Sequence, residues 1–291
     1  MKKNFPVLLF LALTVVILCV TVLGKGFYHA VIEPAGDSHN WIHEAPALVA
    51  HAGGVVPSPA TGELIAITNS LETIAYNYER GFRLFEFDLN LTSDGVLAAV
   101  HDWDIMGKVF SEEEHLAYRI NGEFTTMTFD DILEAMQQYP DMYLITDTKS
   151  FEYSDEEVVR QFRLIYDCAV ERDPELLNRI IPQIYNQGMY ELIGSVYDFP
   201  SIIYTLYASP DTLEEVIAFV KDKDNIPVIV RDKTAVTEEF CAAFEAIGKK
   251  VYAHTSNDMD EVSQLVDMGV WGIYTDTITV DEFVSLARNS D

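Results

Sequence analysis

Leu84-Phe85-Glu86-Phe87-Asp88-Leu89-Asn90 alternates without a break, and this alternation decides how the rest of the chain is arranged. Successive side chains of a strand face opposite sides, so Glu86, Asp88 and Asn90 share one face while Phe85, Phe87 and Leu89 share the other. In a closed barrel wrapped by helices, the aromatic face meets the helices and the carboxylates turn inward. Two inward carboxylates repel each other and lose hydration unless a cation or hydrogen bonds compensate them. A hard ion such as Mg²⁺ or Ca²⁺ is the economical compensation, because both take oxygen ligands. Taken alone, the stretch also fits a half-exposed antiparallel strand whose wet face is acidic.

The flanking sequence favours the barrel. From Ala47 onward, short apolar runs alternate with helical patterns. Strands are expected at 48–52, 84–90, 142–148, 180–185, 201–207, 226–230, 250–255 and 271–276. Helices are expected near 69–80, 128–138, 155–170, 188–197, 211–222, 235–247, 258–268 and 280–288. Eight strand–helix repeats predict an α/β fold of the (β/α)₈ TIM-barrel type. An open doubly wound sheet is the rival, but no Gly-rich dinucleotide turn follows the first strand. The rhythm is interrupted once, between His101 and Phe129, where a long loop is expected to lie over the catalytic face as a lid or insertion.

Titratable residues gather just past the apolar runs, where barrel enzymes place their chemistry. His51 ends the first strand ahead of Gly53-Gly54. Leu97-Ala98-Ala99-Val100 ends in His101-Asp102, and Tyr143-Leu144-Ile145-Thr146 ends in Asp147-Thr148-Lys149. A solitary histidine is usually a packing residue, but two at strand ends beside three carboxylates form a constellation. One can serve as base and the other as acid for in-line phosphoryl transfer. Lys149 shares the strand face of Asp147 and can reach a phosphate oxygen, or equally form a structural salt bridge with a barrel carboxylate.

The bulk properties bound the remaining choices. The 291 residues are 49% apolar, enough for one barrel-sized domain, and the net charge of −28 argues against a nucleic-acid partner. Met1-Lys2-Lys3-Asn4 precedes an uncharged run, Phe5 to Leu23, which as a helix spans roughly 28 Å. A signal-anchor transmembrane helix over 1–24 is therefore expected, with a linker over 25–46 and the barrel over 47–291. The basic start leaves the N-terminus cytoplasmic and the barrel extracytoplasmic and membrane-anchored, or secreted if the leader is cleaved. His29, His39 and His43 have no fixed spacing and are read as linker residues. Cys19 lies in the apolar run, while Cys168 and Cys241 fall in helical patterns and are read as packed thiols. With no CxxC, thiolate zinc is not expected.

His51-Ala52-Gly53, Asn69-Ser70, Gly81, Glu86-Phe87-Asp88, Thr92-Ser93-Asp94-Gly95 and His101-Asp102 together resemble the N-terminal signature of the glycerophosphodiester phosphodiesterase family. Val251 to Asp258, followed by Gly269, Gly272, Ile273, Thr275 and Asp276, is similar to that family's last two strands. The resemblance covers about 48–278. It implies a phosphoric diester hydrolase with His51 and His101 catalytic, Glu86, Asp88 and Asp147 holding a divalent metal, Mg²⁺ or Ca²⁺, and Lys149 near the substrate. The implied partner is a phosphodiester small molecule or lipid headgroup, attacked by water or by a neighbouring hydroxyl. Phospholipase C- or D-like action on intact lipid, and an inactive barrel that binds a phosphorylated ligand, are the alternatives. Trp103, Ile105, Met106, Val109 and Phe110 keep the lipid option open.

Three positions depart from the family pattern. Asp147 stands where glutamate is usual, so the ion must sit closer to that strand or take a bridging water. Ala52 replaces an arginine that clamps phosphate, and Thr68 replaces a glutamate near the metal. Lys149 or Arg231 is the expected compensation for the lost arginine, although Arg231 is equally placed to be a surface residue.

Overall fold

The structure, a computed structural model, describes residues 41–44, 47–149 and 153–289. The expected span over 1–24, with His29 and His39, lies outside them. Among the described residues no helix is long and apolar enough to cross a membrane.

Eight parallel strands form the barrel: β1 (Leu48–Ala50), β2 (Leu84–Leu91), β3 (Tyr143–Asp147), β4 (Ile180–Ile184), β5 (Ile203–Thr205), β6 (Val228–Asp232), β7 (Lys250–His254) and β8 (Gly272–Thr275). Each pairs with its neighbour in order, and β1 pairs with both β8 and β2, which closes the ring. The outer helices are α1 (Leu71–Glu79), α2 (Phe129–Gln138), α3 (Asp155–Arg172), α4 (Gln187–Gly194), α5 (Leu213–Val220), α6 (Glu238–Glu245), α7 (Met259–Asp267) and α8 (Val280–Asn289). Capping boxes at Thr128–Asp131, Ser154–Glu157 and Thr212–Glu215 fix where α2, α3 and α5 begin.

Period-2 alternation divides the buried residues into two cores. Phe85, Phe87 and Leu89 point outward into the layer between strands and helices, each side chain contributing about 1.5–3 kcal/mol of burial. Val49, Leu84, Ile145, Ile181, Ile203, Val228, Val230, Tyr252 and Tyr274 fill the lumen. The same parity turns Glu86 and Asp88 inward above that apolar plug. Cys168 and Cys241 are both free thiols.

The stretch expected to be linker, 25–46, needs correcting at its end. Trp41–Glu44 is a helical turn, and Trp41 is fully buried in the lumen core. Its indole Nε1 donates to Ser201 Oγ at 2.8 Å, and its ring meets Tyr252 edge-on. A single tryptophan in polar sequence has no periodicity to reveal it, so the barrel's floor was not legible.

The long segment after β2 is ordered. Leu97–Ala99 pairs antiparallel with Leu89–Leu91 and draws β2 beyond the barrel rim. A helix, Glu112–Ala117, and a small hairpin, Arg119–Ile120 with Phe124–Thr125, follow. Trp103 and Phe110 pack against each other, Trp103 lies edge-on to buried His115, and Trp103 Nε1 donates to Leu91 O at 3.1 Å. These two aromatics form the insertion's own small core.

Candidate active site

The C-terminal ends of β1, β2, β3 and β8 bring Glu86, Asp88, Asp147, Lys149 and His51 to one mouth. The β2–β3 register sets Asp88 directly beside Asp147, and one oxygen from each of Glu86, Asp88 and Asp147 lies within 4.8 Å of the others. All three are buried. Each carboxylate is held by the backbone or side chain of a different element. Ala52 N donates to Glu86 Oε2 at 2.9 Å, and Asn69 Nδ2 donates to Asp88 Oδ2 at 2.9 Å. The hydroxyl of Tyr185 donates to Asp147 Oδ1, and that of Tyr207 lies 3.3 Å from both Asp147 oxygens.

Backbone geometry explains the glycine after Ala52. Gly53 has φ +82°, and a Cβ there would meet Thr73 Oγ1 at 2.3 Å and the Phe87 ring at 2.7 Å. Only glycine lets the loop come down onto β2 far enough for Ala52 N to reach Glu86.

Lys149 serves as the countercharge. Its Nζ lies 2.8 Å from Asp88 Oδ1 and 2.5 Å from Asp147 Oδ2. Burial works to lower its pKa, but Asp147 and Asp88 outweigh that and raise it above the usual lysine range. Glu86 has no such partner. Burial, together with the charge of Asp88, pushes its carboxyl up to about 8. Three buried carboxylates with one lysine are short of positive charge, and the donor set is entirely oxygen. Both features fit a hard divalent cation.

His51 sits beside this cluster with Nδ1 2.8 Å from Asp276 Oδ1. Burial opposes its charging, yet the Asp276 hydrogen bond and the charges of Glu86, Asp276 and Asp88 prevail and raise its pKa to about 9. Burial likewise works to raise Asp276, but hydrogen bonds from His51 and Asn257 keep it below its ordinary value. Asn257 Nδ2 donates to Asp276 Oδ2 at 2.6 Å, and Asn257 Oδ1 accepts from Asp276 N at 2.8 Å, so β7 and β8 together orient the carboxylate.

His101 is placed differently. Its backbone oxygen accepts from Asn90 Nδ2 at 2.9 Å, which pins the segment to β2. The ring is 54% exposed at the rim, with Nδ1 2.7 Å from Asp102 Oδ2. Of the two residues expected to replace the missing arginine clamp, Lys149 is in the mouth and Arg231 is not. Arg231 follows outward parity on β6, and its guanidinium lies over the Phe240 ring of α6 at 4.2 Å. Thr68 is buried, with its hydroxyl 2.9 Å from Ser70 Oγ.

Four supporting residues received no role from the sequence: Tyr185 and Tyr207, which were not singled out, and Asp276 and His254, which lay within the C-terminal resemblance. Each stands at or near the end of an expected strand, where inward parity is the signal that points it to the mouth. His254 is inward on β7, with its ring edge-on to Tyr207 at 5.6 Å between centroids. Burial lowers its pKa.

Residues 59–280 match the model of the glycerophosphoryl diester phosphodiesterase family. The chain belongs to that family. Its members are phosphoric diester hydrolases, and the buried acidic triad at the mouth is where a member of this family can hold a metal ion. Solved structures agree in fold. A glycerophosphodiester phosphodiesterase from Parabacteroides distasonis superposes with a TM-score of 0.67 at 19% identity, covering 84% of this chain and 98% of that one. An Oleispira antarctica phosphodiesterase in complex with the product sn-glycerol-3-phosphate gives 0.62 at 16% identity, covering 84% and 98%. The Thermotoga maritima glycerophosphodiester phosphodiesterase gives 0.58 at 17%, covering 82% and 97%. No curated protein matches the sequence.

Proposed function

We propose that this family member is a metal-dependent phosphodiesterase that hydrolyses glycerophosphodiesters or related lipid-derived phosphodiesters, with His51 and His101 as general acid and base. The observation that carries the proposal is the buried triad Glu86, Asp88 and Asp147 beside the His51–Asp276 pair. The three carboxylates would hold Mg²⁺ or Ca²⁺, which when bound supplies stabilisation for charge gathering on the phosphoryl oxygens.

The chain's own residues perform the proton transfers. Asp276 fixes His51 through Nδ1, leaving Nε2 for the substrate, and favours the protonated ring. His51 in that state is suited to hand a proton to the leaving alkoxide. His101, exposed at the rim with Asp102 on its Nδ1, is the group left to take a proton from the nucleophile. Lys149 exchanges a carboxylate for a phosphate oxygen as the diester enters.

A soluble diester is favoured over intact lipid, because Trp103 and Phe110 are committed to the insertion's core instead of to a membrane-facing rim. The reading also places the barrel outside the cytoplasm, anchored by the uncharged run Phe5 to Leu23 that follows Lys2 and Lys3.

The test is turnover by the purified full-length chain on glycerophosphodiesters and on phospholipid vesicles, with Mg²⁺, Ca²⁺ or chelator. His51→Ala and His101→Ala are assayed in parallel. Metal-dependent release of sn-glycerol 3-phosphate, lost in both variants, is the expected result. A folded, ion-binding protein inert on every substrate would replace this reading with a phospho-ligand-binding barrel.

A further inference from the structure

His254, inward at the end of β7, is left unused by the chemistry above. Its Nε2 is buried and has no hydrogen-bond partner. A buried imidazole nitrogen without a partner loses hydration without recompense, which makes Nε2 a candidate contact for a ligand group at the mouth. Tyr252, two residues earlier on the same face, is fully buried in the lumen, which sets His254 just above the apolar plug. His254 also lies across the Tyr207 ring from Asp147, within electrostatic range of Asp147, His51 and Lys149.

Its surroundings select the kind of ligand. The β6–β7 register sets Asp232 beside His254, and Tyr207 and Asp232 also line a neighbouring cavity of roughly 400 Å³ that they share with Leu206, Asp211, Leu213, Val216 and Arg231. Beside His254 itself stand the Asp232 carboxylate and the Tyr207 ring, while the Arg231 guanidinium lies over Phe240. A carboxylate next to the imidazole disfavours a phosphate and accepts hydroxyl groups. On the phosphodiesterase reading the phosphate goes to the other side of Tyr207, where Lys149 and Asp147 lie.

We propose that His254 is a specificity-determining residue whose Nε2 hydrogen-bonds a hydroxyl of the polyol arm of the diester, with Tyr207 and Asp232 forming the rest of that subsite. The inference rests on the phosphodiesterase reading of the mouth but concerns a different part of the substrate. It also accounts for a polar ring at this position, since an apolar wall would serve a substrate without hydroxyls equally well.

The test compares full-length wild type, His254→Ala and His254→Gln on glycerophosphoglycerol and on bis(4-nitrophenyl) phosphate, a diester without hydroxyls. His254→Ala is expected to raise KM for the glycerol diester about tenfold with kcat nearly unchanged, to leave the nitrophenyl diester unaffected, and to be partly rescued by Gln. Equal losses on both substrates, or none on either, overturn the proposal. A wild type inactive on both would sink the phosphodiesterase reading. In that case calorimetric binding of sn-glycerol 3-phosphate and of inorganic phosphate, with Mg²⁺ present, still decides: weakening of the first alone by His254→Ala sustains the subsite, and parallel weakening or no change removes it.

Discussion

Asp276 accepts a hydrogen bond from His51 Nδ1 at 2.8 Å although 225 residues separate them, so the first and last strands of the barrel meet in one proton-handling pair. The pair exists only because β1 and β8 close the ring. A carboxylate in this position fixes the ring's tautomer and supports its positive form, as in hydrolase triads.

Asp276→Asn is therefore expected to lower kcat by about 10²–10⁴-fold while the protein remains folded. Because Asp276 raises His51, the variant's activity should begin to fall at lower pH on the alkaline side, where the acid loses its proton. A pH–rate profile measures both effects. An unshifted alkaline limb would show that His51 is not the acid.

The triad gives a second pH signature, with a definite sign. Glu86 is raised from 4.5 to about 8 and His51 from 6.5 to about 9 when no ion is bound. Both groups hold their proton more tightly in the folded chain. Their stabilising contribution is complete below the unfolded values and is lost as pH climbs through the folded ones. In chelator, Tm should therefore decline between pH 4.5 and 9, most steeply where the two windows overlap between 6.5 and 8, and Mg²⁺ should remove the decline by neutralising the carboxylates. Calorimetry in buffers of different ionisation enthalpy should register release of about one proton per ion at pH 7. Ion binding without proton release would refute the protonated Glu86.

An ion held by the triad would compete with Lys149 for the Asp88 and Asp147 carboxylates. Removing the ammonium with Lys149→Met leaves Asp88 and Asp147 uncompensated, a loss on the order of 3–5 kcal/mol for one partner of a buried pair. The variant should melt well below wild type in chelator, recover most of the difference in Mg²⁺, and bind Mg²⁺ more tightly, while KM for the diester rises. A deficit of the same size with and without Mg²⁺ would mean that the lysine serves packing alone.

How much of this was legible follows from what strand periodicity encodes. Alternation in Leu84 to Asn90 identifies a face, so the inward turn of Glu86 and Asp88 and the outward turn of Phe85 and Phe87 could be read directly. Eight repeats of strand and helix then imply closure. Alternation carries no register between distant strands, so the His51–Asp276 pair and the Tyr207 and Tyr185 contacts to Asp147 required coordinates. Arg231 shows the same limit from the other side: its place just past an apolar run suggested the mouth, but on β6 its parity is odd relative to Val228 and Val230, and it stacks outside on Phe240. The exposed ring of His101 depends on a loop conformation that no period describes.

Trp41 makes the last expectation, because it separates a tether from a structural element. Its indole is fully buried against Tyr252 and hydrogen-bonded to Ser201, at the end of the lumen opposite the carboxylates. Trp41→Ala should cost about 3–5 kcal/mol, read as a lower denaturant midpoint with an unchanged m-value. Folded molecules of the variant should keep the wild-type pH–rate profile, since the apolar plug of Val49, Ile145, Ile203 and Val228 stands between the floor and the mouth. A variant as stable as wild type would return Trp41 to the tether. A displaced pH profile would show instead that the plug transmits the floor's packing to His51.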